Sequence, residues 1–273
     1  MVALGRAIAD AGLTHVPDFH DPIARFFLSE KGKRSLARTE QVMREGTHRV
    51  QLELARVRAD LMALRTTAID RALDEAIAGG ATQVVTLGAG YDGRAWRLPE
   101  LQGLRVFEVD HPATQRDKRA RVTTLPTANA NVTFVAMDFE RDSLDAVLKR
   151  AGHDRSSPTC WIWEGVVMYL TGEAMRMTLA AIAGRSAPGS TLIVNYHAAR
   201  PSFLKGLILR LIGEPQINAS TPQEMAEELR SVGLVVKEDS GMQDWNQRFA
   251  QGRAKVDRAG YMRLAVSQFV GRR

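Results

Sequence analysis

The chain is predicted to adopt an α/β fold, a parallel β-sheet covered by helices on both faces. Three observations point there. Short apolar runs rich in β-branched and aromatic residues fall at 83–87, 105–109, 131–136, 160–164 and 191–196, and such runs read as strands buried on both sides. Helical or loop segments at 113–122, 144–151 and 172–186 separate them, which is the βαβ rhythm of a parallel sheet. A glycine turn, Gly88-Ala89-Gly90, follows the first run directly.

Taken in order, residues 1 to about 50 are helical in character but irregular, and DPIARFFLSEKGKRSLARTE holds a proline break and a basic patch. A long amphipathic helix is predicted from about 47 to 78. Leu52, Leu54, Val57, Leu61, Leu64, Ile69, Leu73 and Ile77 recur there at roughly helical spacing, and Gly79-Gly80 stops it. The five strands and their helices come next. After Tyr196 the pattern breaks in ARPSFLKGLILRLIGEPQINAST, an apolar-basic insertion ended by Gly213 and Pro215. Thr221, Pro222 and Glu224 then open a helix, with Thr at the cap, Pro at its first position and Glu placed for a capping box. Two further strand-like runs, 234–238 and 262–270, flank a polar, glycine-containing segment at 239–260. With no internal repeat or low-complexity tract, one domain over 1–273 is expected, with 1–50 as a helical cover and 198–222 as a lid insertion after the fifth strand.

Composition narrows the function. The 45% hydrophobic and 25% charged fractions are those of a globular protein. No apolar run approaches the ~18 residues of a membrane span, and the start lacks the pattern of a signal peptide, so a cytoplasmic location without membrane attachment is expected. A lone cysteine, Cys160, excludes an internal disulfide and a cysteine cluster for zinc, and no metal is expected. The formal charge of +6 is dispersed through helices that also carry acids, as in RVQLELARVRAD. A solvated helical face accounts for it, and no nucleic-acid partner is expected.

The chemistry gathers around the glycine turn. Gly88, Gly90 and Gly93 spell G-x-G-x-x-G, and Asp110 follows about twenty residues on, which taken literally is a dinucleotide fingerprint and an NAD-dependent oxidoreductase. Two neighbouring features favour another nucleoside. Asp-Gly-Arg-Ala-Trp-Arg-Leu is more specific than a bare glycine turn, and acids stand at or after three successive strand ends: Asp110, Asp138 and Glu164. S-adenosylmethionine offers a ribose diol, an adenine amine and an ammonium, and charge-assisted hydrogen bonds from such carboxylates suit all three. Each acid could instead cap the helix that follows it.

These residues resemble the leucine carboxyl methyltransferase-like family of class I S-adenosylmethionine-dependent O-methyltransferases, whose bacterial members include enzymes of natural-product assembly. The resemblance runs from Asp21 to about Tyr196 and rests on DPIARFF, LRTTAID, LGAGYDGRAWRL, VFEVDHPATQRDKR, MDFERD and EGVVMYLT. It implies a Rossmann-like class I methyltransferase fold, a seven-stranded mostly parallel sheet with helices on both faces. It further implies that Arg65 meets the carboxylate of the cofactor's methionine part, above a turn of Gly88, Ala89 and Gly90. Asp110 takes the ribose hydroxyls, with His111 beside it; Asp138 and Phe139 frame the adenine; Glu164 binds near the amino group. Tyr169 lies where the family keeps an aromatic by the transfer site, although it could also be core. Gly93 replaces the family's usual small hydroxyl residue, and the apparent dinucleotide fingerprint comes from that exchange.

The acceptor is expected to be a small molecule, a carboxylate or a phenol. A carboxylate is already ionised at neutral pH, with a pKa of about 4, whereas a phenol at about 10 would profit from a base. Of six histidines only His111 and His197 stand near strand ends. His197 adjoins the expected acceptor cavity and is the candidate to touch substrate. The resemblance and the want of a convincing base favour a carboxyl O-methyltransferase, with a phenolic or enolic hydroxyl as the alternative. Lys205 or Arg210 of the insertion could meet the acceptor's acid group, or lie in water on a helix packed against the core.

Overall fold

A computed structural model describes residues 2–139, 141–198, 218–256 and 261–271. Seven strands form one sheet in the order β3-β2-β1-β4-β5-β7-β6: β1 (Gln83–Leu87), β2 (Arg105–Asp110), β3 (Asn131–Ala136), β4 (Thr159–Trp163), β5 (Thr191–His197), β6 (Leu234–Gly241) and β7 (Met262–Phe269). All neighbours pair in parallel except β7, which runs antiparallel to both β5 and β6. The seven-stranded, mostly parallel sheet predicted from the sequence is therefore present.

Alternation along the strands divides the core. Val84, Val106, Cys160, Ile162 and Ile193 face one layer. Val85, Phe107, Trp161, Trp163, Leu192 and Val194 face the other. The first layer receives α1 (Val2–Asp10), α3 (Arg49–Ala78) and the 3₁₀ turn Ala24–Phe27 through Ile8, Leu64, Ile69, Leu73 and Phe27. The second receives α6 (Leu144–Arg150), α7 (Gly172–Gly184) and α8 (Pro222–Ser231) through Leu148, Leu179, Ile182 and Leu229. An outer helix, α2 (Glu30–Glu45), follows the 3₁₀ turn, while α4 (Arg94–Arg97) and α5 (Pro112–Val122) follow β1 and β2.

Local chemistry sets the helix ends as expected. Thr221 Oγ1 accepts from the Glu224 amide at 3.2 Å and Glu224 Oε2 accepts from the Thr221 amide at 2.7 Å, closing the capping box at α8. The segment 239–260 differs from expectation. It carries the end of β6 and then α9 (Met242–Ala250), whose Met242, Trp245 and Ala250 are buried in the first layer. Most of the insertion 198–222 lies outside the described residues. Among those described, no helix is long and apolar enough to cross a membrane.

Candidate active site

A parallel sheet presents its ligand crevice at the carboxyl ends of its strands, where the strand order reverses. Here the reversal lies between β1, followed outward by β2 and β3, and β4, followed by β5. The turn Gly88-Ala89-Gly90 leaves β1 at that point. Its amides are clamped to β2: Gly88 N and Ala89 N donate to Val109 O at 2.8 and 3.1 Å. Gly88 and Gly90 have φ of +65° and +47°, which L side chains rarely adopt. A Cβ on Gly88 would also overlap Val166 Cγ2, so the turn approaches the loop after β4 as closely as bare backbone permits.

Around this turn the strand ends bring the predicted acids into a row. Asp110 ends β2, and its two carboxylate oxygens accept from the amides of Gly90 and His111. Each oxygen keeps a further lone pair for a hydroxyl. Asp138 and Phe139 follow β3, both half-buried. Asp138 N donates to Asp142 Oδ2 at 2.9 Å, and Phe139 packs on the second core layer. Glu164 follows β4 and is bound on both oxygens: Arg65 Nη2 meets Oε1 at 2.7 Å and Arg94 Nη1 meets Oε2 at 2.9 Å. Burial pushes the Glu164 carboxyl up, but the two guanidiniums outweigh it and hold the group below the usual range.

Arg65 projects from α3, is 5% exposed and meets Glu164, so it is not a surface arginine. Gly93 has φ −110°, so no glycine conformation is required there. Its lack of a side chain matters for space: a Cβ would lie 2.9 Å from Ile23 Cγ2 of the N-terminal segment. His111 is exposed, and its Nδ1 accepts from the Ala113 amide at 3.2 Å, capping α5. Tyr169 stands in the 3₁₀ turn Val167–Tyr169 after Glu164 and is 40% exposed, so it is not core. His197 is the last residue of β5, buried, with its ring edge-on to Tyr261 at 4.9 Å. Lys205 and Arg210 lie outside the described residues.

Sequence reasoning missed the ionic frame beneath the crevice. Arg94 also meets Asp70 at 2.7 Å and Asp92 at 2.6 Å, Arg97 meets Asp70 at 2.6 Å, and Arg6 meets Asp21 at 3.3 Å. Arg6 Nη2 donates to Tyr91 O in the glycine turn at 2.6 Å. In the middle of β2, Glu108 pairs with Lys118 of α5 at 2.6 Å, both almost fully buried. The only available signal was charge inside apolar surroundings, as in RAWRL and VFEVD.

Residues 1–183 match the family model for leucine carboxyl methyltransferase. The chain belongs to that family. Its similarity to curated members is substantial. It is 36% identical over 200 residues to a protein of Mycobacterium marinum named as an S-adenosyl-L-methionine-dependent methyltransferase, covering 72% of this chain and 64% of that one. A similarly named protein of Streptomyces coelicolor is 41% identical over 130 residues, covering 47% and 46%. The chain thus spans less than two thirds of the length of these relatives. Among solved structures, a protein from Thermobifida fusca described as a methyltransferase matches with a TM-score of 0.56 at 17% identity, covering 97% of this chain and 94% of that one. Magnesium protoporphyrin IX methyltransferase from Synechocystis, solved with bound S-adenosylhomocysteine, matches with a TM-score of 0.51 at 14% identity, covering 90% and 97%. These likenesses show the fold alone: the chain has the Rossmann-like α/β architecture of those methyltransferases.

Proposed function

We propose that this protein is an S-adenosylmethionine-dependent O-methyltransferase that esterifies a carboxylate of a small molecule. The observation that carries this reading is the Arg65–Glu164 pair, at 2.7 Å beside a glycine turn that a Cβ would block. One anion-binding and one cation-binding group side by side match the carboxylate and ammonium of a free amino acid, which NAD lacks. Asp110, one strand away and with lone pairs to spare, matches a ribose diol.

On this reading Arg65 holds the methionine carboxylate, Glu164 the ammonium, Asp110 the ribose, and Asp138 with Phe139 the adenine. When bound, S-adenosylmethionine supplies a methyl group on a sulfonium, whose leaving group is a neutral thioether. The chain's task is then to orient the acceptor oxygen in line with that methyl group, at about 3 Å, and to exclude water. An acceptor carboxylate attacks as the anion it already is at neutral pH, so no residue has to take a proton. The burial of His197 against Tyr261 fits that absence of a base, with Tyr169 and His197 as walls of the acceptor side. A phenolic or enolic acceptor is the second reading, favoured by His197 standing at the end of the strand next to β4. The family resemblance to enzymes of natural-product assembly suggests an acceptor from secondary metabolism.

Incubation of the protein with methyl-tritiated cofactor and candidate acids, followed by mild alkali, tests the reading. A methyl ester releases volatile labelled methanol. Label that stays with the acceptor is not in an ester and overturns the carboxylate assignment.

A further inference from the structure

Arg94 is the second guanidinium on Glu164, and cofactor contacts alone give it no task. Its side chain is 4% exposed and reaches acids from three separate places in the chain. Nε meets Asp70 of α3 at 2.7 Å, while Nη1 meets Asp92 of the glycine turn at 2.6 Å and Glu164 after β4 at 2.9 Å. Its backbone amide also donates to Asp92 Oδ1 at 2.8 Å. The other oxygen of Asp70 is held by Arg97 at 2.6 Å. Burial opposes the charge on Arg94, but Asp92, Glu164 and Asp70 more than offset it and hold its pKa well above the ordinary value.

This arrangement concerns orientation more than charge. Arg65, Arg94 and Arg97 are balanced by Asp70, Asp92 and Glu164, so the frame adds no net charge to the crevice. A carboxylate held through one oxygen can turn about its last bond; held through both, one oxygen by each of two planar guanidiniums, it has one orientation. Arg94 supplies the second hold and is itself fixed from two sides.

We infer that Arg94 is a positioning residue for the cofactor's amino-acid end: by tying Glu164 to Asp70 and Asp92 it sets the orientation in which that carboxylate accepts the ammonium. This rests on the assignment of Glu164 to the ammonium, and two probes keep the two claims apart. S-adenosylhomocysteine carries the amino acid; 5′-methylthioadenosine is the same adenosine thioether without it. Both are titrated calorimetrically into the wild type, Arg94→Lys and Asp70→Asn. The wild type should bind S-adenosylhomocysteine the more tightly. Arg94→Lys keeps the charge but loses the fork, and should weaken S-adenosylhomocysteine by about 10- to 30-fold, with methylthioadenosine changed by less than about 3-fold. Asp70→Asn leaves one neutral acceptor oxygen for Arg94 and Arg97 together, so it weakens the Arg94 anchor with Arg94 itself in place. It should shift the ratio the same way by about 3-fold, which decides the matter if Arg94→Lys does not fold. Parallel losses for both probes, or an unchanged ratio, would show a merely structural role and overturn the inference. A wild type that does not distinguish the probes would overturn the Glu164 assignment itself, and the inference with it.

Discussion

Replacing Gly88 by Ala probes how closely the crevice is built. The native φ of +65° costs an L residue about 1–2 kcal/mol. The new Cβ would in addition overlap Val166 Cγ2, and forcing an extra carbon into a packed site costs about 1–3 kcal/mol. Together these give a loss of roughly 2–5 kcal/mol, large against the ~5–15 kcal/mol that holds an ordinary domain folded. The two parts are separable, because Val166→Ala removes the overlapping methyl and leaves the backbone strain. Urea unfolding of the wild type, both single variants and the double variant closes a double-mutant cycle. The structure predicts a coupling of about 1–3 kcal/mol in favour of the double variant, with about 1–2 kcal/mol of loss remaining. A coupling within about 0.5 kcal/mol of zero would refute the close approach of turn and loop, since unlinked sites add to that precision.

His153 should set part of the acid stability. Burial, with Arg185 and Arg105, lowers its pKa to about 4, and Arg185 Nε donates to its Nδ1 at 3.2 Å, so the folded ring is neutral. The unfolded chain takes up a proton near pH 6.5 that the folded chain refuses until about pH 4. Stability should therefore fall by about 2 kcal/mol from pH 7 to pH 5 in urea unfolding. His153→Gln should flatten that slope, and an equally steep slope in the variant would contradict the assignment. Lys118→Met would leave Glu108 buried without its cation. We expect a loss of about 3–5 kcal/mol, partly restored by adding Glu108→Gln, and a double variant no better than the single would count against a true buried pair.

The strands were legible because apolar runs such as QVVTL and TCWIW are buried on both faces, and both are buried at every position in the structure. The row of acids was legible because each followed such a run. Helix α9 was not, since Gln243, Asp244, Gln247 and Arg248 dominate a segment whose buried side is chiefly Met242, Trp245 and Ala250. The 3-residue spacing of Met242 and Trp245, continued by Phe249, was the signal to read. The ionic frame was illegible for a different reason. A buried charge is tolerated only with its partner, and Arg94 finds its partners 24 residues before it in Asp70 and 70 residues after it in Glu164. Gly93 shows the same limit, because its need for space comes from Ile23, seventy positions away.

Calorimetric titration of S-adenosylhomocysteine into the wild type, Arg65→Ala and Asp110→Ala tests the site most directly. Each side chain is assigned charge-assisted hydrogen bonds worth about 1.5–3 kcal/mol, so each variant should bind roughly 10- to 150-fold more weakly than the wild type. Unchanged affinity in both variants, or a wild type that binds NAD and not S-adenosylhomocysteine, would contradict the account.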